Sequence, residues 1–281
     1  MGKYVFIHRG GPEMASYRYR AMMPAAQVGG TVNGGDAQVL IFSKPTPDDL
    51  VLAKDNKEHG VKIVADLGDD HFNHAIWGPI YREMVRLADC VVTPTNNMAA
   101  RIKTYTGRTV DAVIADPYEE ALQPPHANGA EKYLWFGNPV NLKDLTQWKP
   151  HLKDLDLTIV KTSNHKLEFD YLTWSPEVQT AQLGKANVVI LPTRKGAEYK
   201  SANRLVNAVR AGCFVVASTH PSATEFRRFI WAGSFVTGLQ WAKYFKDELN
   251  DMVREGQAYC EKFSPENIGT QWAQVLDAVA A

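Results

Sequence analysis

The sequence has no surplus of charge: Lys plus Arg and Asp plus Glu each number 31. That balance excludes a global field drawing the molecule to nucleic acid or an anionic membrane, and leaves only a local basic patch open. Cysteine is scarce. Cys90, Cys213 and Cys260 are odd in number and far apart, and two of them adjoin apolar runs, so they read as reduced core thiols rather than a disulfide frame. Long apolar runs are missing as well. NVVILP at 187–192 and CFVVA at 213–217 fall far short of the roughly 20 residues that span a bilayer, and they read as buried strands. The opening MGKYVFIHRGG lacks a signal-peptide pattern, because Arg9 and two glycines cut off its short apolar run, so the expectation is a cytoplasmic protein. Neither Gly-x-x-x-x-Gly-Lys-Ser/Thr nor Gly-x-Gly-x-x-Gly occurs, which argues against a P-loop nucleotidase and a nicotinamide-dependent dehydrogenase. With no short-period repeat either, a solenoid or propeller is not expected.

What is present is an alternation of short apolar runs with amphipathic segments, the pattern of parallel sheets covered by helices. Strands are expected at 3–8, 37–42, 61–65, 89–93 and 110–114, and again at 132–136, 156–161, 186–191 and 213–217. Between the two series, the periodicity fails over 117–131, where Pro124-Pro125 and Asn128-Gly129 mark a loop. Two α/β domains follow, an N-terminal one over 1–125 and a C-terminal one over 126–281. Thr95 is expected to cap a helix carrying Met98, Ile102 and Tyr105 and stopped by Gly107. The last helix, 264–281, opens at Ser264 and Pro265 and lines up Ile268, Trp272, Val275, Leu276 and Val279.

The most informative stretch is 193–217, TRKGAEYKSANRLVNAVRAGCFVVA. A buried strand ends before a polar loop with Arg194, Lys195, Glu198 and Lys200; Ser201 is the expected N-cap of a helix that closes at Gly212. Free backbone N–H groups and the positive helix end at Ser201, Asn203 and Arg204 would then face the carboxyl end of the sheet beside several cations, which suits a phosphate. The same cations would also suit a solvated loop face. Asp66, Asp69, Asp70, His71 and His74 form a second dense group, fit for a divalent metal or for general-base work on a hydroxyl, with His74 best read as a capping or packing residue. Trp135 and Trp174 are placed to stack a base, although tryptophans at such positions are more often core.

The strand–loop–helix–Gly–strand segment resembles the donor-binding motif of family-four glycosyltransferases of the GT-B architecture. There the helix reads Glu-Ala-Met-Ala-x-Gly-x-Pro-Val; here it reads Asn207-Ala208-Val209-Arg210-Ala211-Gly212-Cys213-Phe214-Val215. Asn207 stands where the second residue of the family's Glu-x7-Glu pair holds the ribose, and Tyr199, next to Glu198, stands eight positions earlier. IVADLGDDHF at 63–72, ADCVVTPT at 88–95, LWFGN at 134–138 and FSPENIGTQWAQVL at 263–276 extend the resemblance over nearly the whole chain.

The resemblance implies two Rossmann-like domains, with the terminal helix packing back toward the first. It implies a donor site of Gly10, Gly11, Gly137, Asn138, Arg194, Lys195, Glu198, Lys200, Ser201, Asn203, Arg204 and Asn207. Acceptor contacts would come from Ser16, Arg18 and Arg20, and Asp69, Asp70 and His71 would hold or deprotonate the acceptor. The co-substrate would be a UDP- or GDP-sugar, with no cofactor and no bound metal. The short form is similar to phage and cyanobacterial enzymes, some of which glycosylate modified DNA bases, so DNA or a glycan is the expected acceptor. Two alternatives share the architecture: a sugar-nucleotide epimerase or phosphorylase, and a non-catalytic module that binds the donor, which the altered Glu pair favours.

Overall fold

A strand such as AQVLIFS, apolar at nearly every position, needs cover on both faces. The computed structural model, which describes residues 2–161, 170–193 and 199–281, supplies it in two α/β units. One comprises Met1–Pro117, Tyr199–Ser201 and Phe263–Ala281; the other comprises Tyr118–Glu198 and Ala202–Lys262. The segment 118–125 thus packs with the second unit, and the terminal helix with the first.

The first unit holds a parallel sheet in the order β2-β1-β3-β4-β5-β6. Its strands are β1 (Gly2–Ile7), β2 (Thr31–Val32), β3 (Ala37–Ser43), β4 (Lys62–Asp66), β5 (Cys90–Thr93) and β6 (Ala112–Val113). Register runs Phe6↔Ile41, Ile41↔Val64 and Val64↔Cys90 across the centre. Alternate residues serve opposite faces. Val5, Leu40, Phe42, Ile63, Ala65 and Val91 pack with Ala53, Tyr81, Met84, Met98 and Ile102 from the helices Pro47–Glu58, Trp77–Leu87 and Asn96–Thr106. Tyr4, Phe6, Val39, Ile41, Val64 and Val92 pack instead with Ala21, Ala25, Ile268, Trp272 and Leu276. The terminal helix Pro265–Ala280 therefore completes this core, with Trp272 edge-on to Phe6 at 5.5 Å between ring centroids.

The second unit repeats the plan in the order β12-β11-β10-β7-β8-β9, also parallel. Its strands are β7 (Lys132–Gly137), β8 (Asp156–Lys161), β9 (Leu172–Thr173), β10 (Val188–Leu191), β11 (Phe214–Ser218) and β12 (Trp231–Gly233). Trp135 lies in this core, fully buried, and all three cysteines are free and buried. Every expected strand is present. The edge strands β2, β9 and β12 were not expected, because two or three residues carry no period.

Expected caps hold where a side chain has no better partner. Thr95 and Ser264 accept from the Met98 and Asn267 N–H, and Gly107 ends its helix at φ +75°. Ser201 is a correction: the helix spans Asn203–Arg210, its N-cap is Ala202, and no side chain caps it. The Ser201 hydroxyl donates at 2.5 Å to the Asp116 carboxylate, and a charge-assisted bond outcompetes a cap. A second surprise is a π-helical turn at Arg18–Met22 ahead of the helix Met23–Val28. Pro24 has no N–H to offer the Arg20 carbonyl, which instead accepts from the Ser43 hydroxyl. No helix among the described residues is long and apolar enough to cross a membrane.

Candidate functional site

Parallel strands end together, so the residues just past β1, β3 and β4 gather at one edge of the first sheet. His8 follows β1 and is 2% exposed; its main chain exchanges hydrogen bonds with the Asn33 amide, at 2.8 Å each way. Its Nδ1 accepts from the Gly10 N–H at 2.9 Å, and its Nε2 lies 3.1 Å from the Ser16 hydroxyl. A β-carbon on Gly10 would come within 2.9 Å of the His8 ring, so only glycine fits this turn unshifted. Gly11 borders the Glu13 side chain. Burial, with Lys44 adding, lowers the His8 pKa against the pull of Asp66, Asp49 and Asp69.

Arg18 and Arg20, expected to reach an acceptor, are both buried. Arg18 donates to the Pro12 carbonyl at 2.7 Å. Arg20 holds Asp66 at 2.9 and 2.5 Å and the Ile114 carbonyl at 2.6 Å, and stacks on Trp272. Asp66 also accepts from Ser43 at 2.8 Å. This network knits strand ends together inside the unit.

The aspartate–histidine group divides by partner. Asp70 is held by Arg101 at 2.8 Å and accepts from the Phe72 N–H. His74 Nδ1 accepts from the Ile76 and Trp77 N–H at the entrance of the following helix, the expected capping role. Asp69 pairs with Lys44 at 2.7 Å; burial raises its pKa, but Lys44, His71 and Lys200 together hold it below the usual range. His71 stands edge-on to Tyr81, and burial lowers its pKa, with Lys44 and His74 adding and Asp69 and Asp70 opposing. Burial thereby favours its uncharged form. Among the described residues no three acidic, His or Cys side chains converge as a metal-holding group.

Tyr199, Lys200 and Ser201 join this unit although the sequence runs on into the other sheet. Arg101 lies over the rings of both Tyr105 and Tyr199, at 4.6 and 5.0 Å, and Thr95 donates to the Tyr199 carbonyl. Lys200 is thereby brought close enough for its charge to help lower the Asp69 pKa. Lys44, His8 and Arg101 were not foreseen; for the first two the available signal was their place just past a buried strand.

In the second unit, β7 ends at Gly137, at a φ of +155°, where a β-carbon would stand 3.0 Å from Arg204 Nη1 and press on that side chain. Asn138 caps the turn that follows. Arg204, one residue into its helix behind Asn203, donates to the Phe136 carbonyl at 3.1 Å; burial pushes its pKa down to about 10, against the pull of Asp144. Arg204 is half-buried, and a guanidinium with its pKa lowered in this way is one that an anion would stabilise. Asn207 is 1% exposed: its Oδ1 accepts from the Glu119 and Glu120 N–H, and its Nδ2 donates to the Asn203 carbonyl. Trp174 donates to Gln179 at 2.8 Å. Arg194, Lys195 and Glu198 lie outside the described residues.

Two Rossmann-like units, with a terminal helix completing the first, make this a GT-B fold, the fold of a group of glycosyltransferases. Among solved structures it is similar to an alpha-glucosyltransferase in complex with UDP-glucose and DNA containing an abasic site, with a TM-score of 0.69 and 11% identity over 99% of both chains. A glycosyltransferase from Rickettsia africae ESF-5 matches at 0.58 and 10% over 99% of both, and TarM at 0.62 and 11% over 86% of this chain and 55% of its own. At such identities the likeness is one of fold. No protein-family profile matches the chain, and no curated protein does.

Proposed function

We propose that this protein is a metal-independent glycosyltransferase that moves a sugar from a nucleoside-diphosphate-sugar to an acceptor hydroxyl. The observation that carries the reading is Arg204 beside Gly137 at the carboxyl end of β7, where an under-compensated guanidinium meets bare backbone. Charge grows on the leaving diphosphate in the transition state, so cations fixed at its oxygens speed the step. Arg204 and the glycine turn take that role, with Asn138 and Asn203. Asn207 ties the chain at Glu119 and Glu120 to the helix that carries Arg204.

On the acceptor side, His71 is the base, Asp69 orients the hydroxyl, and Asp70 acts through Arg101. Ser16 and the Gly10–Gly11 turn line the acceptor, while Arg18 and Arg20 hold the loop that presents them. The DNA in complexes of the alpha-glucosyltransferase neighbour, one of which contains an HMU base, supports a modified DNA base as acceptor. UDP in those same complexes supports a UDP-sugar as donor.

The test is a thermal-shift screen of UDP-, GDP- and other nucleotide-sugars, followed by transfer from the best donor to HMU-containing duplex DNA in EDTA. A ligand at 100 times its Kd adds about 2.7 kcal/mol of stability. Stabilisation by no nucleotide-sugar sinks the proposal. The internal engagement of Asn207 favours one second reading, a module that binds donor without turnover. Donor binding with no transfer or donor hydrolysis would select it.

A further inference from the structure

At the end of β3 the backbone takes a conformation its sequence disfavours. Lys44 carries a β-carbon and precedes Pro45, yet sits in the left-handed region at φ +54°. Such an outlier persists only where its surroundings hold it. Here Lys44 Nζ lies 2.7 Å from Asp69 Oδ2, so the turn aims the ammonium at the loop that follows β4.

We propose that Lys44 is a positioning residue of the acceptor side: its left-handed turn holds the Asp69 carboxylate in place and sets the charge that His71 experiences. The proposal deepens the glycosyl-transfer reading and rests on it for the chemistry. The charged groups around the pair pull in both directions. Asp69 is faced by Lys44, His71 and Lys200; His71 is faced by Asp69, Lys44, His74 and Asp70. Lys44 acts in the same direction on both, lowering the Asp69 pKa and adding to the effect of burial on His71. It acts likewise on His8, behind burial and against Asp66, Asp49 and Asp69. Removing Lys44 therefore raises the pKa of His71, leaves less of it neutral at a given pH, and moves the acid limb of the kcat/KM profile to higher pH.

Three variants separate charge from backbone. Lys44→Gly accepts the left-handed conformation and removes the charge; Lys44→Met removes the charge but keeps the strain; Lys44→Arg keeps both. The His71 titration is followed by NMR in the protein without substrate, alongside thermal midpoints and pH–rate profiles. Lys44→Gly should fold with an equal or higher midpoint, titrate His71 at higher pH, and carry the acid limb of its pH–rate profile to higher pH with donor KM unchanged. Lys44→Met should show the same titration at a lower midpoint, and Lys44→Arg should stay close to the parent. A parental His71 titration and parental turnover in Lys44→Gly would overturn the proposal. If the parent itself transfers no sugar while Lys44→Gly still shifts His71, the transfer reading falls and the electrostatic role of Lys44 stands.

Discussion

Arg204 and Arg20 show how one residue type divides between a site and a scaffold. Arg20 is 3% exposed and answered by Asp66, itself 1% exposed, with Asp116 at 3.4 Å. Asp66→Asn should therefore cost about 3 kcal/mol of folding stability in a urea titration, since a buried charge loses its main partner. An effect below about 1 kcal/mol would mean that Asp116 suffices on its own. Arg204 has no carboxylate within salt-bridge reach among the described residues, and burial holds its pKa at about 10. Arg204→Met should leave folding intact but weaken UDP binding by roughly 1.5–3 kcal/mol in calorimetry, the loss of a charge-assisted hydrogen bond. Unchanged affinity would remove Arg204 from the donor site. Sequence alone marked both arginines as candidate ligands. What separates them is burial together with a carboxylate partner distant in sequence, and neither is a local property.

At the scale of elements, helix ends were legible where the cap is local and obscured where a distant group competes. Thr95 has a double use: it caps its helix and donates to the Tyr199 carbonyl. Thr95→Ser should be nearly neutral, whereas Thr95→Ala should cost about 1–2 kcal/mol by chemical denaturation. Equal stability of both variants would deny the cap. Gly212, expected only as a helix stop, sits at φ +90° with the Pro124 carbonyl 2.4 Å from where a β-carbon would be. Gly212→Ala should thus cost more than the roughly 1 kcal/mol of an exposed left-handed glycine, because the 117–131 loop must also move. A smaller loss would show that this loop yields cheaply. Ser201 marks the opposite limit. Its sequence context reads as a cap, yet it joins Asp116 because folding brings that carboxylate within 2.5 Å.

For the whole molecule, His8 and His71 have folded-state pKa values lowered by burial, so the unfolded chain binds more protons below the ordinary histidine range. Their contribution is full above that range and fades as pH falls toward the folded-state values. The thermal midpoint should drop between about pH 7.5 and 5.5, and His8→Asn should flatten the drop. A slope unchanged by that variant would place the effect elsewhere. Removing 264–281 would uncover Phe6, Val64 and Val92, so the truncated chain should aggregate in size-exclusion chromatography. A monomer with parental stability would show that the helix is dispensable to the first core. The sequence by itself determined the alternation of strands and helices, the capped terminal helix, the buried cysteines and the stretches in which the site residues lie, because periodicity, caps and glycine stops act over a few positions. Only the tertiary structure decided that 199–201 belong with the first unit, that Asn207 is tied to Glu119 and Glu120, that Arg20 faces inward, and that Lys44 meets Asp69. Each of these depends on which distant carboxylate, carbonyl or ring arrives at the same place, and that is set by the folded chain as a whole.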